Sequence, residues 1–380
     1  MSKTTIPPKV VLKLWIRSGG RCQFCGCNEI LYRDELTQAQ MNKAYIAHIV
    51  ADSPGGERGD VILSPQLAKE FSNLMLLCDS HHRMIDDNSN VNIYTVDLLR
   101  TYKREHEERI EYLTGINKSQ KSHLLVFKDN IGVRKPEIDY EDARHSILPR
   151  YPAQSDPIQL DLTNSPFRDD EEKYFRNKKE EITRLINTCI RQRSQSSQIG
   201  HLSIFALAPI PLLVHFGCEI GDLIPSDVYQ HHRDTQSWKW QVIEYDFQYI
   251  IEEPKLSGIN SKSVVLNLSL SGIIQPDEIE QVMVKPYQTY KVTISQPDRD
   301  YLKSKDQLDL FKAKIRALLR KIRDAHGGDC EIHLFAAIPA PIAVSFGQVI
   351  LPKSDPLIHV YEHNRENGGF RYALQLGGAT

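Results

Sequence analysis

His201-Leu-Ser-Ile-Phe-Ala-Leu-Ala-Pro-Ile-Pro211 and, 130 positions later, Glu331-Ile-His-Leu-Phe-Ala-Ala-Ile-Pro-Ala-Pro341 decide the fold of most of this chain. Each is an apolar run of strand length that breaks into Pro-x-Pro, followed by Phe216-Gly217 in one copy and Phe346-Gly347 in the other. The likeness extends outward on both sides. Upstream, the helical spacing of Ile182, Leu185, Ile186, Cys189 and Ile190 is matched by Leu308, Phe311, Ile315, Leu318, Leu319 and Ile322. Before these helices, Leu160–Pro166 resembles Val292–Pro297. Downstream, Val228-Tyr-Gln-His-His-Arg233 matches Val360-Tyr-Glu-His-Asn-Arg365, and Trp238 and Trp240 match Phe370 and Tyr372. Strand–helix periodicity alone accounts for the apolar matches but not for the paired Pro, Gly, His and Arg. The pattern predicts two homologous α/β halves, about 151–272 and 286–380, with helices packed on mainly parallel sheets.

The rest of the chain divides by composition. Residues 1–113 form one expected domain, ending in a helix over Asp97–Leu113, and 114–150, polar with Pro136 and Pro149, read as a linker with one strand at His123–Lys128. Net charge is −2, and residues 1–112 hold 14 Lys/Arg against 15 Asp/Glu, so no module announces nucleic acid by bulk charge. Local placement of Arg17, Arg21, Arg33, Lys43 and Arg58 would have to serve instead. Seven scattered cysteines suit a reducing compartment better than a disulfide framework. Met1–Lys9 has no apolar leader, and no run reaches the ~18 apolar residues of a membrane helix. A cytoplasmic protein without a membrane partner is therefore expected.

The first domain carries the chemistry. Cys22-x-x-Cys25 and Cys78-x-x-His81 are two pairs whose spacing lets each face one ion from a tight turn, and three thiolates with one imidazole suit a closed tetrahedral Zn²⁺ site. Between them lie His48, on a short strand expected over Ala44–Val50, and Asn73. His82 follows His81, with Asp86 four residues on and on the same helical face. Phosphodiester hydrolysis needs a base for water and a cation on the scissile phosphate. His48 is the candidate base, and Asn73, His82 and Asp86 are candidate ligands for Mg²⁺ or another divalent metal.

Residues 15–87 resemble the HNH endonuclease family, through Cys22-Gln-Phe-Cys25-Gly26, Ala47-His48-Ile49, Gly55-Gly56 and Asn73-Leu-Met-Leu-Leu-Cys78-Asp-Ser-His81-His82. The resemblance implies a zinc-stapled ββα-metal fold, with His48 as general base, Asn73 as positioning residue or ligand, and His82 near the catalytic metal. Two positions depart from that pattern: Ala47 stands where an Asp often precedes the base, and His81 where a fourth Cys is usual.

In the repeated region, ligands of open α/β sheets gather beyond the carboxyl ends of the strands, where Pro209, Pro211, Pro339 and Pro341 fall. Neither half has a G-x-G-x-x-G or a Walker A motif. The repeated aromatic and basic residues, Tyr229, Arg233, Trp240, Tyr361, Arg365 and Tyr372, offer stacking for bases and pairing for phosphates. This arrangement resembles the SAVED domain, two fused CARF-like Rossmannoid halves. With the nuclease it is similar to the HNH–SAVED effectors of bacterial cyclic-oligonucleotide antiphage signalling (CBASS). That resemblance implies a cyclic di- or trinucleotide from a partner nucleotidyltransferase as activating ligand. It also implies a homo-oligomer, dimer or tetramer, on activation, and double-stranded DNA as substrate. A restriction-type HNH nuclease whose C-terminal domain recognises modified DNA is the alternative.

Overall fold

The computed structural model describes residues 4–164, 173–195, 198–243, 245–254, 261–364 and 368–377, and the chain divides into two compact units between Asn117 and Lys118. Arg365, Ser165 and Pro166 lie outside the described residues.

The first unit is built around an antiparallel ribbon. Helix α1, Pro8–Ser18, places Pro8 in its first turn, where no amide donor is needed, and ends at Gly19, whose φ of 62° is left-handed. Strand β1, Tyr45–His48, pairs with β2, Leu74–Leu77, with His48 opposite Leu74. The connection between them carries the short helix α2, Leu63–Leu67. Helix α3, Asp79–Ile85, starts directly after Cys78. Helix α4, Val96–Thr114, opens on Thr95, whose hydroxyl accepts the Leu98 amide at 3.3 Å. It lies against α1, with His106 Nε2 donating to the Ser18 carbonyl at 2.9 Å. A core of Cys22, Leu31, Ala47, Ile49, Met75, Leu77, Ile85 and Leu99 joins these elements.

The second unit contains two sheets built to one plan. The first half runs β3 (Lys121–Lys128), α5 (Tyr140–Ser146), β4 (Tyr151–Pro152), β5 (Ile158–Asp161) and α6 (Tyr174–Ile186). A π-helical turn over Asn187–Arg191 leads into α7 (Gln192–Gln195), then β6 (Leu202–Leu207), α8 (Ile210–Ile220) and β7 (Ser226–Tyr229). The strand order is β4-β3-β6-β7, with β5 also on β3, and every pairing is parallel. The second half comprises β8 (Ile250–Glu252), β9 (Ser263–Ser269), α9 (Pro276–Glu280), β10 (Gln288–Thr293) and α10 (Lys305–His326). It continues with β11 (Glu331–Ala337), α11 (Ala340–Val349), β12 (Leu357–Asn364) and β13 (Gly369–Leu376). Its order is β13-β12-β11-β9-β10-β8, parallel from β10 through β12 and antiparallel at both edges.

Two expected boundaries shift. The stretch 114–150 is not merely a linker, because β3 is the central strand of the first sheet, hydrogen-bonded to β6 and β5, with Leu124–Phe127 buried. Likewise Ser263–Ser269, assigned by sequence to the end of the first half, is the central strand of the second sheet. The polar flanks of these short apolar runs hid them, although a strand covered on both faces reads as a brief continuous apolar stretch.

The repeated Phe-Gly has a packing reason. Helices α8 and α11 cross so closely that a Cβ on Gly217 would lie 2.0 Å from the Val344 carbonyl oxygen, and one on Gly347 2.0 Å from that of Val214. Only glycine fits at either side of such a crossing. One apolar core runs through both halves around it, including Leu212, Val214, Phe216, Ile342, Val344 and Phe346. At the end of β3, the buried Asp129 carboxylate meets Lys178 Nζ at 2.8 Å and accepts the Tyr174 hydroxyl at 2.9 Å, pinning α6 to the sheet.

Candidate metal centre and ligand pocket

The four metal-ligand atoms that come together in the first unit belong to Cys22, Cys27, Cys78 and His81, all within 4.8 Å of one another. Cys27 thus takes the place that the sequence spacing gave to Cys25, whose side chain is exposed. The turn explains the exchange. Gln23 is buried, its Oε1 accepting the Leu76 amide at 2.7 Å and its Nε2 donating to Glu107 at 3.1 Å, which fastens Cys22 beside β2. Phe24 stacks on the His81 ring at 4.1 Å. The Cys27 amide then closes on the Phe24 carbonyl at 3.1 Å, with Gly26 at φ 79°, and this turn carries Cys25 outward and Cys27 inward.

These residues fit zinc. Cys22 Sγ and Cys78 Sγ lie 3.8 and 3.1 Å from His81 Nδ1, and the Cys78 amide points at Cys22 Sγ at 3.4 Å. Burial pushes both the Cys22 and Cys78 thiols up, so without a cation these sulfurs stay protonated. A dication is what makes a buried group of thiolates favourable.

His48, Asn73, His82 and Asp86 lie around the ribbon and α3. His48 is 9% exposed, and its Nε2 donates to the Ala68 carbonyl at 2.9 Å. A carbonyl only accepts, so this bond fixes the Nε2–H tautomer and leaves the lone pair on Nδ1. The carboxamide of Asn73 closes a two-way bridge to Val50, accepting its amide at 2.8 Å and donating to its carbonyl at 2.8 Å, with a further donation to the Leu67 carbonyl at 3.3 Å. Asn73 is therefore a positioning residue here, shaping the chain after His48, rather than the metal ligand expected as one option. His82 Nε2 lies 3.5 Å from Asp86 Oδ2, and the His82 ring packs against Tyr45 at 5.0 Å. Burial lowers the His82 pKa against the pull of Asp86, which keeps a neutral, ligating imidazole. His82 and Asp86 supply two donors of the kind a divalent ion accepts.

Sequence reading placed Arg58 among candidate DNA-contacting cations. Instead its side chain is 3% exposed and ties the site together. Its Nε donates to the Ile49 carbonyl at 2.9 Å, its Nη1 to that of Ile85, and its Nη2 reaches the His48 carbonyl and Asp86 Oδ1, each at 3.4 Å. It does so from φ 60°, a costly backbone for a non-glycine residue that these bonds hold in place. Arg17 is likewise engaged, with Glu111 at 2.6 Å, and Lys43 pairs with Glu29.

In the second unit a cavity of about 600 Å³ opens at the carboxyl ends of β6 and β11. Pro209, Tyr229, Arg233, Pro339 and Pro341 all line it. Pro209 and Pro339 are the residues before α8 and α11, so the two Pro-x-Pro turns face one space. Pro211, Trp240, Tyr361 and Tyr372 do not line it. Tyr361 is buried, its hydroxyl 3.1 Å from His333 Nδ1, Trp240 stacks behind Tyr229 at 6.4 Å, and Tyr372 is 52% exposed. Phe205–Tyr229 and Phe335–Tyr361 are equivalent stacks at 4.8 and 4.4 Å, each crossed edge-on by Trp238 or Phe370 at 5.1 and 5.0 Å. The repeat thus preserved core aromatics as well as ligand-facing groups.

Sequence reading missed Arg299, Glu278, His231 and His363, which line the same cavity. His231 and His363 were visible as the paired His of the repeated Val-Tyr-x-His motif; they pack edge-on against Trp238 and Phe370 at 5.1 and 4.8 Å. Glu278 Oε1 lies 3.3 Å from His363 Nε2. Arg299 comes from a loop with no counterpart motif and gave no signal. The pocket therefore combines two guanidinium groups, two imidazoles, a carboxylate and aromatic edges, a set suited to phosphates and base edges together.

The chain matches the family model described as "SMODS-associated and fused to various effectors sensor domain" (SAVED) over residues 182–376, just over half its length. Among solved structures it is similar to the SAVED/CARF-domain containing receptor Cap4 of Acinetobacter baumannii. With the cyclic trinucleotide 3'3'3'-cAAA that receptor gives 12% identity, 76% of this chain and 62% of that one covered, and a TM-score of 0.46. With 2'3'3'-cAAA the figures are 13%, 76%, 62% and 0.45. The Cap4 receptor of Moraxella osloensis gives 12%, 76%, 59% and 0.40. The chain spans about three-fifths of the length of these receptors. No curated protein matches it. No described helix is long and apolar enough to cross a membrane. On the family match, which takes in α6 through β13 and both Pro-x-Pro turns, this chain belongs to the SAVED family of sensor domains.

Proposed function

We propose that this protein is a cyclic-oligonucleotide-activated endonuclease that cuts double-stranded DNA, an antiphage effector whose sensor is the second unit and whose nuclease is the first. The observation that carries the sensing half is the cavity into which both Pro-x-Pro turns open, with Arg233 and Arg299 on its wall. A cyclic di- or trinucleotide presents repeated phosphates and base edges to such a duplicated site. Arg233 and Arg299 pair with phosphate oxygens, and Tyr229, His231 and the Glu278–His363 pair meet base faces and edges.

Support for the nuclease half is the ribbon–helix arrangement of β1, β2 and α3, with His48 on the first strand and His82 on the helix. In this reading His48 Nδ1, its tautomer set by Ala68, takes the proton of the attacking water. Asn73 and Arg58 hold the backbone on either side of His48. His82 and Asp86 would hold the divalent ion, which when bound neutralises charge on the scissile phosphate. Cys22, Cys27, Cys78 and His81 would hold zinc as a frame that does not touch substrate.

Ligand binding then drives homo-oligomerisation and gathers nuclease units on one DNA molecule, raising local concentration for a domain with no net basic charge. The test is plasmid cleavage with Mg²⁺ and a panel of cyclic di- and trinucleotides, with His48→Ala alongside. Ligand-dependent cutting that His48→Ala abolishes supports the reading. Ligand-independent cutting that depends on DNA modification would favour a restriction-type nuclease instead.

A further inference from the structure

The first sheet of the second unit carries another cavity, of about 560 Å³, at the amino ends of its strands, opposite the end where the Pro-x-Pro turns lie. Ser119, Lys121 and His123 from the start of β3, Gln154, Arg193 from α7, and His201 before β6 form its walls. No Asp or Glu lines it among the described residues. His201 is engaged, with Nδ1 2.9 Å from Ser122 Oγ and Nε2 3.4 Å from Asp227.

His123 is different. It is 8% exposed, its ring faces the cavity, and that ring makes no hydrogen bond to a described residue. A polar ring nine-tenths buried without a partner costs stability unless something else satisfies it. Burial, then the charges of Arg193 and Lys121, hold its pKa below the ordinary histidine value, so a positive field already reaches the ring. Two cations and an imidazole donor converging on a space without acids form a receptor for an anion with several acceptor oxygens.

We propose that this cavity is a phosphate-binding site separate from the ligand pocket, in which Lys121, Arg193 and His123 take a phosphate group of a nucleic-acid backbone or of a free nucleotide. The full chain is titrated with inorganic phosphate, and separately with a short DNA duplex in Mg²⁺-free buffer, as wild type and as the double variant Lys121→Gln/Arg193→Gln. Saturable phosphate binding that weakens at least tenfold in the double variant supports the site. A parallel loss of duplex affinity of threefold or more identifies the source as nucleic acid, and unchanged duplex affinity identifies a free phosphate compound. Should the double variant misfold, the His123 ring resonances of the wild-type protein decide: they move with phosphate saturation if the site exists. Phosphate binding that does not saturate, equal binding by a folded double variant, or an unmoved His123 ring would overturn the proposal.

Discussion

Replacing Gly217 with Ala tests the joint on which the sensor unit is built. Helix propensity alone favours the change by about 1 kcal/mol, because glycine is a poor residue inside a helix. The packing opposes it. The new methyl would lie 2.0 Å from the Val344 carbonyl oxygen and 3.1 Å from the Gln348 amide nitrogen, both backbone atoms of α11 that no rotamer change can move. Carbon–oxygen contacts below 3.0 Å are essentially never sustained, so the helices must part by about 1 Å at their crossing. Overpacking of this kind costs about 1–3 kcal/mol and more where backbone must move, and the parted helices also lose contacts of Val214, Phe216, Val344 and Phe346. The expected net destabilisation is about 2–3 kcal/mol, opposite in sign to the propensity effect. Urea unfolding followed by tryptophan fluorescence reads it, since Trp238 and Trp240 belong to this unit. Gly272→Ala, where a Cβ meets nothing within 4 Å, is the control and stays close to wild type. Because Pro209 and Pro339 begin the two helices and line the pocket, ligand affinity should fall with stability. A Gly217→Ala protein as stable as wild type, or more so, would refute the close crossing and the explanation of the repeated Phe-Gly.

Three further outcomes follow from individual sites. Cys27→Ser should lower bound zinc, measured by elemental analysis of the purified protein, whereas Cys25→Ser should retain it; the reverse would restore the ligand set expected from sequence. Lys178→Met should destabilise the protein by about 3–5 kcal/mol in urea by leaving the Asp129 carboxylate buried and unpaired, while the double change Lys178→Met/Asp129→Leu should recover most of the loss; a harmless single change would contradict the buried pair. His215 is held near pKa 4 by burial, against an ordinary 6.5. As pH falls through that window the unfolded chain takes up its proton first, so stability declines with acid by about 1.4 kcal/mol per pH unit from this group, and His215→Gln should flatten that slope in stability-versus-pH measurements.

The repeat was legible because function and packing had both been written twice. Pro209/Pro339, Phe216-Gly217/Phe346-Gly347 and His231/His363 mark equivalent points of two equivalent sheets. Motif matching could not separate residues that face the pocket from those that brace it: Tyr229 lines the cavity while its equivalent Tyr361 lies buried under α9. Nor could spacing choose between Cys25 and Cys27, which lie in one tight turn. The choice was made by tertiary contacts of Gln23 with Leu76 and of Phe24 with His81. Arg58 illustrates the same limit, since nothing in Gly56-Glu57-Arg58 distinguishes a surface cation from a buried strut whose partners are the carbonyls of Ile49 and Ile85.

The central claim couples the pocket of the second unit to DNA cleavage by the first. Its most direct test is supercoiled plasmid cleavage, with Mg²⁺ and each member of a cyclic di- and trinucleotide panel, by wild type, His48→Ala and Arg233→Ala. The account predicts negligible cutting without ligand and cutting with at least one cyclic oligonucleotide. It further predicts loss of that activity in His48→Ala by at least the ~100-fold due to a general base, and a raised ligand requirement in Arg233→Ala. Equal cutting with and without every ligand, or undiminished cutting by His48→Ala, would contradict it.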